Sequence, residues 1–240
     1  MKELWTSLLF PRRCPVCGEI TEPEGALICG DCLGRLSPVR SPFCKRCGKE
    51  ILSEQAEFCG DCMRHPRSFA SGVSLLNYNE AARTSLAAVK YKNRREYLDF
   101  YSQAIVRRYG KWLASLRPDA LVPVPVHASR RRRRGFNQAE ELARRLSALT
   151  GIPCRSDILI RNRKTAPQKE LNPAERLKNL QAAFGLSPHY REHPEDLPGI
   201  IVLVDDIYTT GSTMEACSRI LLSAGADRVH ILTVCIGKGV

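Results

Sequence analysis

Residues 200–213 read Ile-Ile-Val-Leu-Val-Asp-Asp-Ile-Tyr-Thr-Thr-Gly-Ser-Thr and join an apolar run to a polar one. The run Ile200–Val204 has the length and composition of a strand buried on both faces, as strands of parallel sheets are. Two adjacent carboxylates, Asp205 and Asp206, follow it, and a helix is predicted over Ser212–Ala224. Because ligands of open α/β sheets bind at the carboxyl ends of the strands, we expect a binding site at this junction.

The loop between the predicted strand and helix suits a phosphate group. Its residues are Thr209, Thr210, Gly211, Ser212 and Thr213. Gly211 permits close backbone approach, the hydroxyls donate hydrogen bonds, and the helix N-terminus offers free amides, with a Ser212/Glu215 capping box predicted there. The G-x-x-x-x-G-K-[ST] pattern is absent. The predicted ligand is therefore a sugar 5-phosphate, with ribose hydroxyls on Asp205 and Asp206. An acid pair that only caps the strand is the alternative, which the switch-point rule disfavours.

Strands and helices alternate through most of the remaining chain. Strands are predicted over Ser71–Tyr78, Ala120–Val124, Asp157–Ile160 and Val229–Ile236, and helices over Glu96–Leu113, over Asn137–Thr150 with an Asn137/Glu140 capping box, and from Asn172 onward. This order predicts an α/β fold with a mostly parallel sheet that is covered on both faces.

Eight of the eleven cysteines form four C-x-x-C pairs that repeat every fifteen residues: Cys14/Cys17, Cys29/Cys32, Cys44/Cys47 and Cys59/Cys62. Two such pairs hold one tetrahedral zinc through four thiolates, so the spacing predicts two structural zinc sites. Disulfides would need an oxidising compartment, and a thioredoxin-like motif is usually a single pair in a βαβ setting. We expect sequential pairing, first with second and third with fourth, and an interleaved cross-brace is the alternative.

The net charge of +12 is concentrated in one part of the chain. Residues 1–66 hold nine bases and nine acids, whereas residues 83–178 hold 23 bases against eight acids. A basic region of this kind favours polyanionic partners. No apolar run approaches the ~18 residues of a membrane span. The N-terminus lacks the features of a signal peptide, so we expect a cytoplasmic protein without a membrane span.

The motifs together resemble the ComF family, which is similar in having a cysteine-rich zinc region before a type I phosphoribosyltransferase core. The resemblance rests on these stretches: Val122–Pro125 (V-P-V-P), Arg130–Ala139, Thr165–Leu171 (T-x-P-Q-x-x-L), Glu175, Arg176, Asn179 and the V-L-V-D-D-I-Y-T-T-G-S-T run. It implies two parts, a double zinc ribbon over 1–66 and a phosphoribosyltransferase-like domain over 67–240. It also implies a role in DNA uptake during natural transformation, with DNA-uptake proteins as partners.

The resemblance also implies roles for particular residues. Asp205 and Asp206 would be catalytic and would bind the ribose hydroxyls of phosphoribosyl pyrophosphate, in part through Mg²⁺, and Thr209–Thr213 would bind the 5-phosphate. A pyrophosphate site in the loop after Pro125 and a mobile loop over Arg161–Leu171 would supply Arg130, Arg131, Arg161, Lys164 and Gln168. Purine-salvage members usually carry Asp where this chain has Thr209, which argues against a 6-oxopurine acceptor.

Five consecutive arginines, Arg130, Arg131, Arg132, Arg133 and Arg134, exceed what a pyrophosphate group needs. They could follow the backbone of single-stranded DNA, with Lys90, Lys92, Arg94, Arg95, Arg161, Arg163 and Lys164 extending the track and Tyr91, Tyr97 and Phe136 stacking on bases. A solvated charge run is the plainer interpretation. Two functions stay open: an enzyme that transfers phosphoribosyl to an unidentified acceptor, and a non-catalytic DNA-binding module that retains the phosphoribosyl site.

Overall fold

A computed structural model describes residues 11–162 and 182–237. Four strands form the main sheet in the order β1-β6-β5-β2, and all their pairings are parallel. The strands are β1 (Ser71–Asn77), β2 (Ala120–Pro123), β5 (Ile200–Tyr208) and β6 (Arg228–Ile236). Two short strands, β3 (Leu159–Arg161) and β4 (Phe184–Leu186), form a separate antiparallel pair. The predicted α/β class and mostly parallel sheet are therefore confirmed.

In the described residues, helices lie before and between these strands. They are α1 (Gly30–Leu33), α2 (Gly60–Arg64), α3 (Glu80–Lys92), α4 (Tyr97–Leu116), α5 (Ala128–Arg134), α6 (Gln138–Thr150), α7 (Pro188–Glu192) and α8 (Ser212–Ser223), with a 3₁₀ turn at Pro194–Asp196. In the described part of the chain, no helix is both long enough and apolar enough to cross a membrane.

Both faces of the main sheet are covered because its strands alternate fully buried apolar side chains between two clusters. In β5, Val202 and Val204 pack with apolar side chains of α3, α4 and α6. Ile201 and Leu203 pack on the other side with α8 and the small β3–β4 pair. The repeat cysteines divide between the same two clusters. Cys14 and Cys32 belong to the first cluster, and Cys44, Cys47, Cys59 and Cys62 belong to the other.

The segment between Cys32 and Cys44 covers the outer edge of β1. The backbone amide of Val39 donates to the carbonyl of Leu75, and the amide of Asn77 donates to the carbonyl of Ser37. At the opposite edge, the amides of Leu121 and Arg155 exchange hydrogen bonds with the carbonyls of Pro153 and Leu121. Both edge strands are thus partly paired, which removes the open edge that invites association.

Several sequence predictions change in detail. β5 runs four residues beyond Val204 and includes the acid pair, and the strand predicted over Asp157–Ile160 is β3, which lies outside the main sheet. Helices α3 and α5 were not predicted, although Asn79 caps α3 by accepting from the amide of Ala82. The helix predicted from Asn172 lies outside the described residues.

Candidate functional site

The junction of β5 and α8 begins the site. Thr209 and Thr210 are exposed at the end of β5, and Gly211 is the N-cap residue of α8 in the left-handed region, with φ 76°. The hydroxyls of Thr210 and Ser212 lie 3.0 Å apart. The predicted loop-to-helix junction is therefore present, with hydroxyls and a helix N-terminus at the carboxyl end of a buried strand.

The predicted Ser212/Glu215 capping box is wrong. Gly211 occupies the cap position, so Ser212 is already the first helical residue and makes no side-chain cap. The Glu215 carboxylate instead accepts from the amide and hydroxyl of Ser68, at 2.8 and 3.1 Å, and from Arg219 at 2.6 Å. The Asn137 cap of α6 is confirmed, since its side chain accepts from the amide of Ala139. The box partner predicted for it, Glu140, pairs with Arg144 instead.

Gly211 is required by space as well as by backbone conformation. A Cβ at position 211 would lie 2.1 Å from the hydroxyl oxygen of Tyr208, far inside contact distance. Tyr208 is buried, and its hydroxyl has no hydrogen-bond partner among the described residues. The loop therefore lies directly against the Tyr208 ring, and only glycine allows this approach.

The two adjacent carboxylates have different surroundings because successive side chains of a strand alternate in direction. Asp206 is buried, forms an ion pair with Lys90 of α3, and accepts from the side-chain amide of Gln138 at 3.4 Å. Asp205 is partly exposed and accepts the Asp206 amide hydrogen at 2.8 Å. Burial and then the charge of Asp206 raise the pKa of Asp205 well above its ordinary value. Within the described residues, Asp206 thus has an ion-pair partner and Asp205 has none.

Lys90 is a site residue whose position the sequence did not indicate. The sequence placed it on a DNA track, whereas its ammonium group lies on Asp206, 116 residues further along the chain, with the side chain only 17% exposed. Gln138, at the start of α6, was not singled out either. The apolar spacing of Ala82, Leu86 and Val89 is the signal that could have predicted α3, but no local pattern predicts which carboxylate faces it.

The arginine run forms a helix, α5, rather than the loop that the resemblance implied. Arg130–Arg133 are exposed, and His127 caps the helix by accepting from the amide of Ser129. Arg134 alone is partly buried: its guanidinium stacks over the Tyr91 ring at 5.1 Å and donates to Gln138 Oε1 at 3.0 Å. Because Gln138 also donates to Asp206, α5 is connected to the acid pair through one side chain.

A cavity of about 460 Å³ is lined in part by Lys90, the ion-pair partner of Asp206. Its lining is cationic and polar and consists of Lys90, Tyr91, Asn93, Arg133 and Arg134. Tyr91 is 66% exposed, whereas Phe136 and Tyr97 are buried, and Arg95 covers the Phe136 ring at 4.3 Å. Of the three aromatic residues suggested as stacking platforms, only Tyr91 is exposed, and Arg134 covers part of its ring. The other two are core residues, so the stacking role suggested for them is wrong.

Arg161 is the last residue of β3. Its guanidinium packs over the Phe184 ring at 4.9 Å. Burial, followed by the positive charge of Arg130, lowers the pKa of Arg161, while the charge of Asp205 acts in the opposite direction. The charges of Arg130 and Asp205 therefore both act on the Arg161 guanidinium. Lys164 and Gln168 lie outside the described residues, as do Arg163 and the other motif positions over 165–179.

The eight repeat cysteines form two groups, Cys14/Cys17/Cys29/Cys32 and Cys44/Cys47/Cys59/Cys62, in which the sulfur atoms lie within 4.8 Å of one another. The expected sequential pairing is confirmed, and each group fits a zinc ribbon site. Burial would raise the pKa of Cys14, but hydrogen bonds from the amides of Cys29, Cys17 and Val16 lower it to about 7. All four cysteines of the second group are buried, whereas Cys17 of the first is exposed.

Comparison with protein families agrees with this architecture. A family described as phosphoribosyl transferase domain matches residues 103–239, more than half of the chain, so the chain belongs to this family. A double zinc ribbon domain matches residues 5–63. This combination, together with relatives named as competence proteins, confirms the resemblance to ComF proteins.

Three curated relatives illustrate the resemblance. The chain is 37% identical over 114 residues to "Competence protein F" of Haemophilus influenzae, covering 48% of each chain. It is 38% identical over 119 residues to "DNA utilization protein YhgH" of Escherichia coli K12, covering 49% of each. It is 30% identical over 155 residues to "Competence protein ComFC" of Bacillus subtilis, covering 63% of this chain and 58% of the relative. The match thus spans about half the length of these relatives.

Among solved structures, a purine phosphoribosyltransferase from Pyrococcus horikoshii matches part of this chain. It is 16% identical, with a TM-score of 0.36, over 59% of this chain and 87% of that one.

Proposed function

We propose that this chain binds phosphoribosyl pyrophosphate at the carboxyl end of β5 and acts in DNA uptake, as a phosphoribosyltransferase with an unidentified acceptor. The observation that carries the proposal is the junction itself: an acid pair, a hydroxyl-rich loop and a helix N-terminus meet at the end of a buried parallel strand. The role in uptake rests on the names of the relatives, two of which are called competence proteins.

Each part of the ligand has a matching group. The 5-phosphate would be bound by Thr209–Thr213 through hydroxyls and amides, and the ribose hydroxyls by Asp205 and Asp206. The pyrophosphate would be bound by Arg130 and Arg161, whose charges act on each other, with Arg131, Lys164 and Gln168 completing the set. The zinc ribbon over 1–66 and the transferase-like part over 67–240 would be the two units of a cytoplasmic protein, where thiolates stay reduced.

The proposed reaction breaks the bond between ribose C1 and the pyrophosphate oxygen, and its electron pair leaves with pyrophosphate. The acceptor then forms the new bond to C1. Guanidinium groups beside the leaving oxygen stabilise the charge that develops there. Asp205 and Asp206 would be the catalytic pair because they hold the ribose as positive charge develops on its ring.

The Mg²⁺ that the resemblance implies fits the carboxylate of Asp205 better than that of Asp206. Asp205 is partly exposed and has no ion pair among the described residues, whereas Lys90 already pairs with Asp206. Magnesium is bound in proteins by carboxylates together with ligand phosphates. When bound, it would supply charge neutralisation of the pyrophosphate.

Titration calorimetry with phosphoribosyl pyrophosphate and Mg²⁺ tests the proposal. The double variant Asp205→Asn/Asp206→Asn should lose most of the binding heat. Asp119→Asn is the control, because Asp119 precedes β2 at the other end of the sheet and an Asn oxygen can still accept from the Ile200 amide. Equal heats in the wild type and the double variant would remove the claim. Circular dichroism checks that each variant is folded.

Single-stranded DNA binding without catalysis is the second candidate, and the exposed arginines of α5 beside the exposed Tyr91 side chain favour it. The variant with Arg130–Arg134 changed to Gln should flatten the slope of log affinity against log salt, by about 0.7 for each lost phosphate contact. A control variant removes five exposed bases elsewhere: Arg35, Lys111, Arg117, Arg191 and Arg228. Equal slopes in the two variants would show that net charge, and not α5, binds DNA.

A further inference from the structure

A short segment five to seven residues after Cys62, Arg67–Phe69, contacts both the C-x-x-C turns of the second cysteine group and the phosphate loop with its first helical turn. The Arg67 side chain is 8% exposed. Its Nη2 atom donates to Asp61 Oδ2 at 3.0 Å and to the carbonyl oxygen of Thr210 at 2.9 Å. One guanidinium therefore joins a cysteine turn to a residue of the phosphate loop that is 143 positions away.

Both C-x-x-C turns of the second group hold this segment in place. Asp61 lies between Cys59 and Cys62, and Arg46 lies between Cys44 and Cys47. Arg46 Nη1 donates to the carbonyl oxygens of Arg67 at 2.8 Å and Phe69 at 3.1 Å. The position of the Arg67 backbone and the direction of its side chain thus depend on the two turns that would share one zinc.

The same segment also holds the first turn of α8. Ser68 donates to Glu215 through its amide and its hydroxyl, and Glu215 is 1% exposed. Because Thr210 precedes the α8 N-cap and Glu215 follows it, the phosphate loop is fixed from both ends by adjacent residues of one segment. None of these contacts involves the groups assigned above to the ribose or the pyrophosphate.

The bond from Arg67 to Thr210 has a direct consequence for an anion. A peptide unit is planar and trans, so its carbonyl and the following N–H point in opposite directions. Arg67 binds the Thr210 carbonyl, and the Gly211 N–H of that unit therefore points away from Arg67. The guanidinium also offsets the negative end of a carbonyl that would repel a phosphate.

We propose that Arg67 is a positioning residue for the phosphate loop, through which the second cysteine group sets the affinity for a sugar 5-phosphate. The inference rests on the proposed function, because it concerns the same loop. It assigns the second zinc ribbon a role in ligand binding that is separate from DNA contact.

Calorimetry with two probes, ribose 5-phosphate and inorganic pyrophosphate, tests this assignment on the full chain. Arg67→Met should weaken ribose 5-phosphate binding about 10-fold or more, as expected for loss of a charged hydrogen bond. It should leave pyrophosphate affinity and two zinc ions per chain unchanged. Arg67→Lys should restore part of the affinity, because an ammonium keeps the charge but not the guanidinium fork. Arg12→Met, which removes one of the two ion-pair partners of Asp99 and lies beside the first group, is the control.

The possible outcomes distinguish a failure of the Arg67 positioning role from a failure of the proposed function. If the wild type binds neither probe, the proposed function fails. If the wild type binds and Arg67→Met binds ribose 5-phosphate equally well, the positioning role fails. If Arg67→Met loses both probes equally or loses zinc, Arg67 is only a structural residue and the inference is overturned.

Discussion

Asp205 links the stability of this protein to its ligand site. Asp206 forms an ion pair with Lys90, whereas burial and the charge of Asp206 both oppose the ionisation of Asp205 and raise its pKa. A binding carboxylate that is unfavourable before the ligand arrives is a common compromise between stability and function.

The pH dependence of the unfolding free energy should show that ionisation of Asp205 destabilises the folded chain. Because the pKa of Asp205 is raised in the folded state, the folded chain holds a proton that the unfolded chain releases. Stability therefore decreases as pH rises from the ordinary aspartate range through the raised pKa. Asp205→Asn resembles the protonated form, so it should melt at a higher temperature than the wild type at pH 8 and at a similar temperature at pH 4.

Asp157→Asn is the control, because the pKa of Asp157 is lowered in the folded state whereas that of Asp205 is raised. Burial would raise the pKa of Asp157, but Arg155 lowers it, so that carboxylate favours folding when ionised. Asp157→Asn should therefore melt no higher than the wild type at pH 8. If Asp205→Asn gave the same melting temperatures as the wild type at both pH values, the account of the acid pair would be wrong.

At the scale of elements, the junction of β5 and α8 depends on one glycine. Gly211 and Gly151 both cap helices, at the start of α8 and the end of α6, with the same φ of 76°. A Cβ at 151 would meet no atom within 4 Å, whereas one at 211 would collide with the Tyr208 hydroxyl. An alanine would therefore be strained by the backbone conformation at both positions, but it would clash with a neighbouring side chain only at position 211.

Urea unfolding of Gly151→Ala and Gly211→Ala should separate these two effects. Gly151→Ala should lose about 1 to 2 kcal/mol of unfolding free energy, the cost of placing Cβ in the left-handed region. Gly211→Ala should lose clearly more, and should also weaken ribose 5-phosphate binding because the loop must move off Tyr208. Equal losses in the two variants would mean that the loop adjusts freely and that Tyr208 does not define its position.

Helices and strands could be predicted from the sequence wherever apolar residues followed one clear periodicity. The apolar run of β5 and the Asn137-capped α6 were predictable because burial and capping are local patterns. The arginine helix α5 was not, because five adjacent charges carry no apolar period, and its stability comes from the His127 cap and the Arg134 contacts to Tyr91 and Gln138.

At the scale of the whole molecule, the two cysteine groups lie in different environments. The second group is buried against the α8 side of the sheet, and the first leaves Cys17 exposed and Cys29 partly exposed. Solvent and a chelator therefore reach the two sites unequally. The well-covered site is also the one connected to the phosphate loop through Arg67.

Zinc release to a coloured chelator should therefore proceed in two phases of one ion each. We expect the first group to lose its ion about tenfold faster or more, because opening of the second group requires disruption of core packing. Cys17→Ser should remove the fast phase, and Cys47→Ser should remove the slow one. A single phase in the wild type, or loss of the slow phase in Cys17→Ser, would contradict this order.

The sequence alone determined the α/β class, the two four-thiolate groups and the strand, acid pair and loop at residues 200–213. These features are local, since each depends on spacing or periodicity within a few tens of residues. Only the tertiary structure decided that Lys90 neutralises Asp206, that α5 is a helix, and that Arg67 joins the second cysteine group to Thr210. The Lys90 and Arg67 contacts join residues more than a hundred positions apart, and side-chain packing in three dimensions, which leaves no local pattern, selects them.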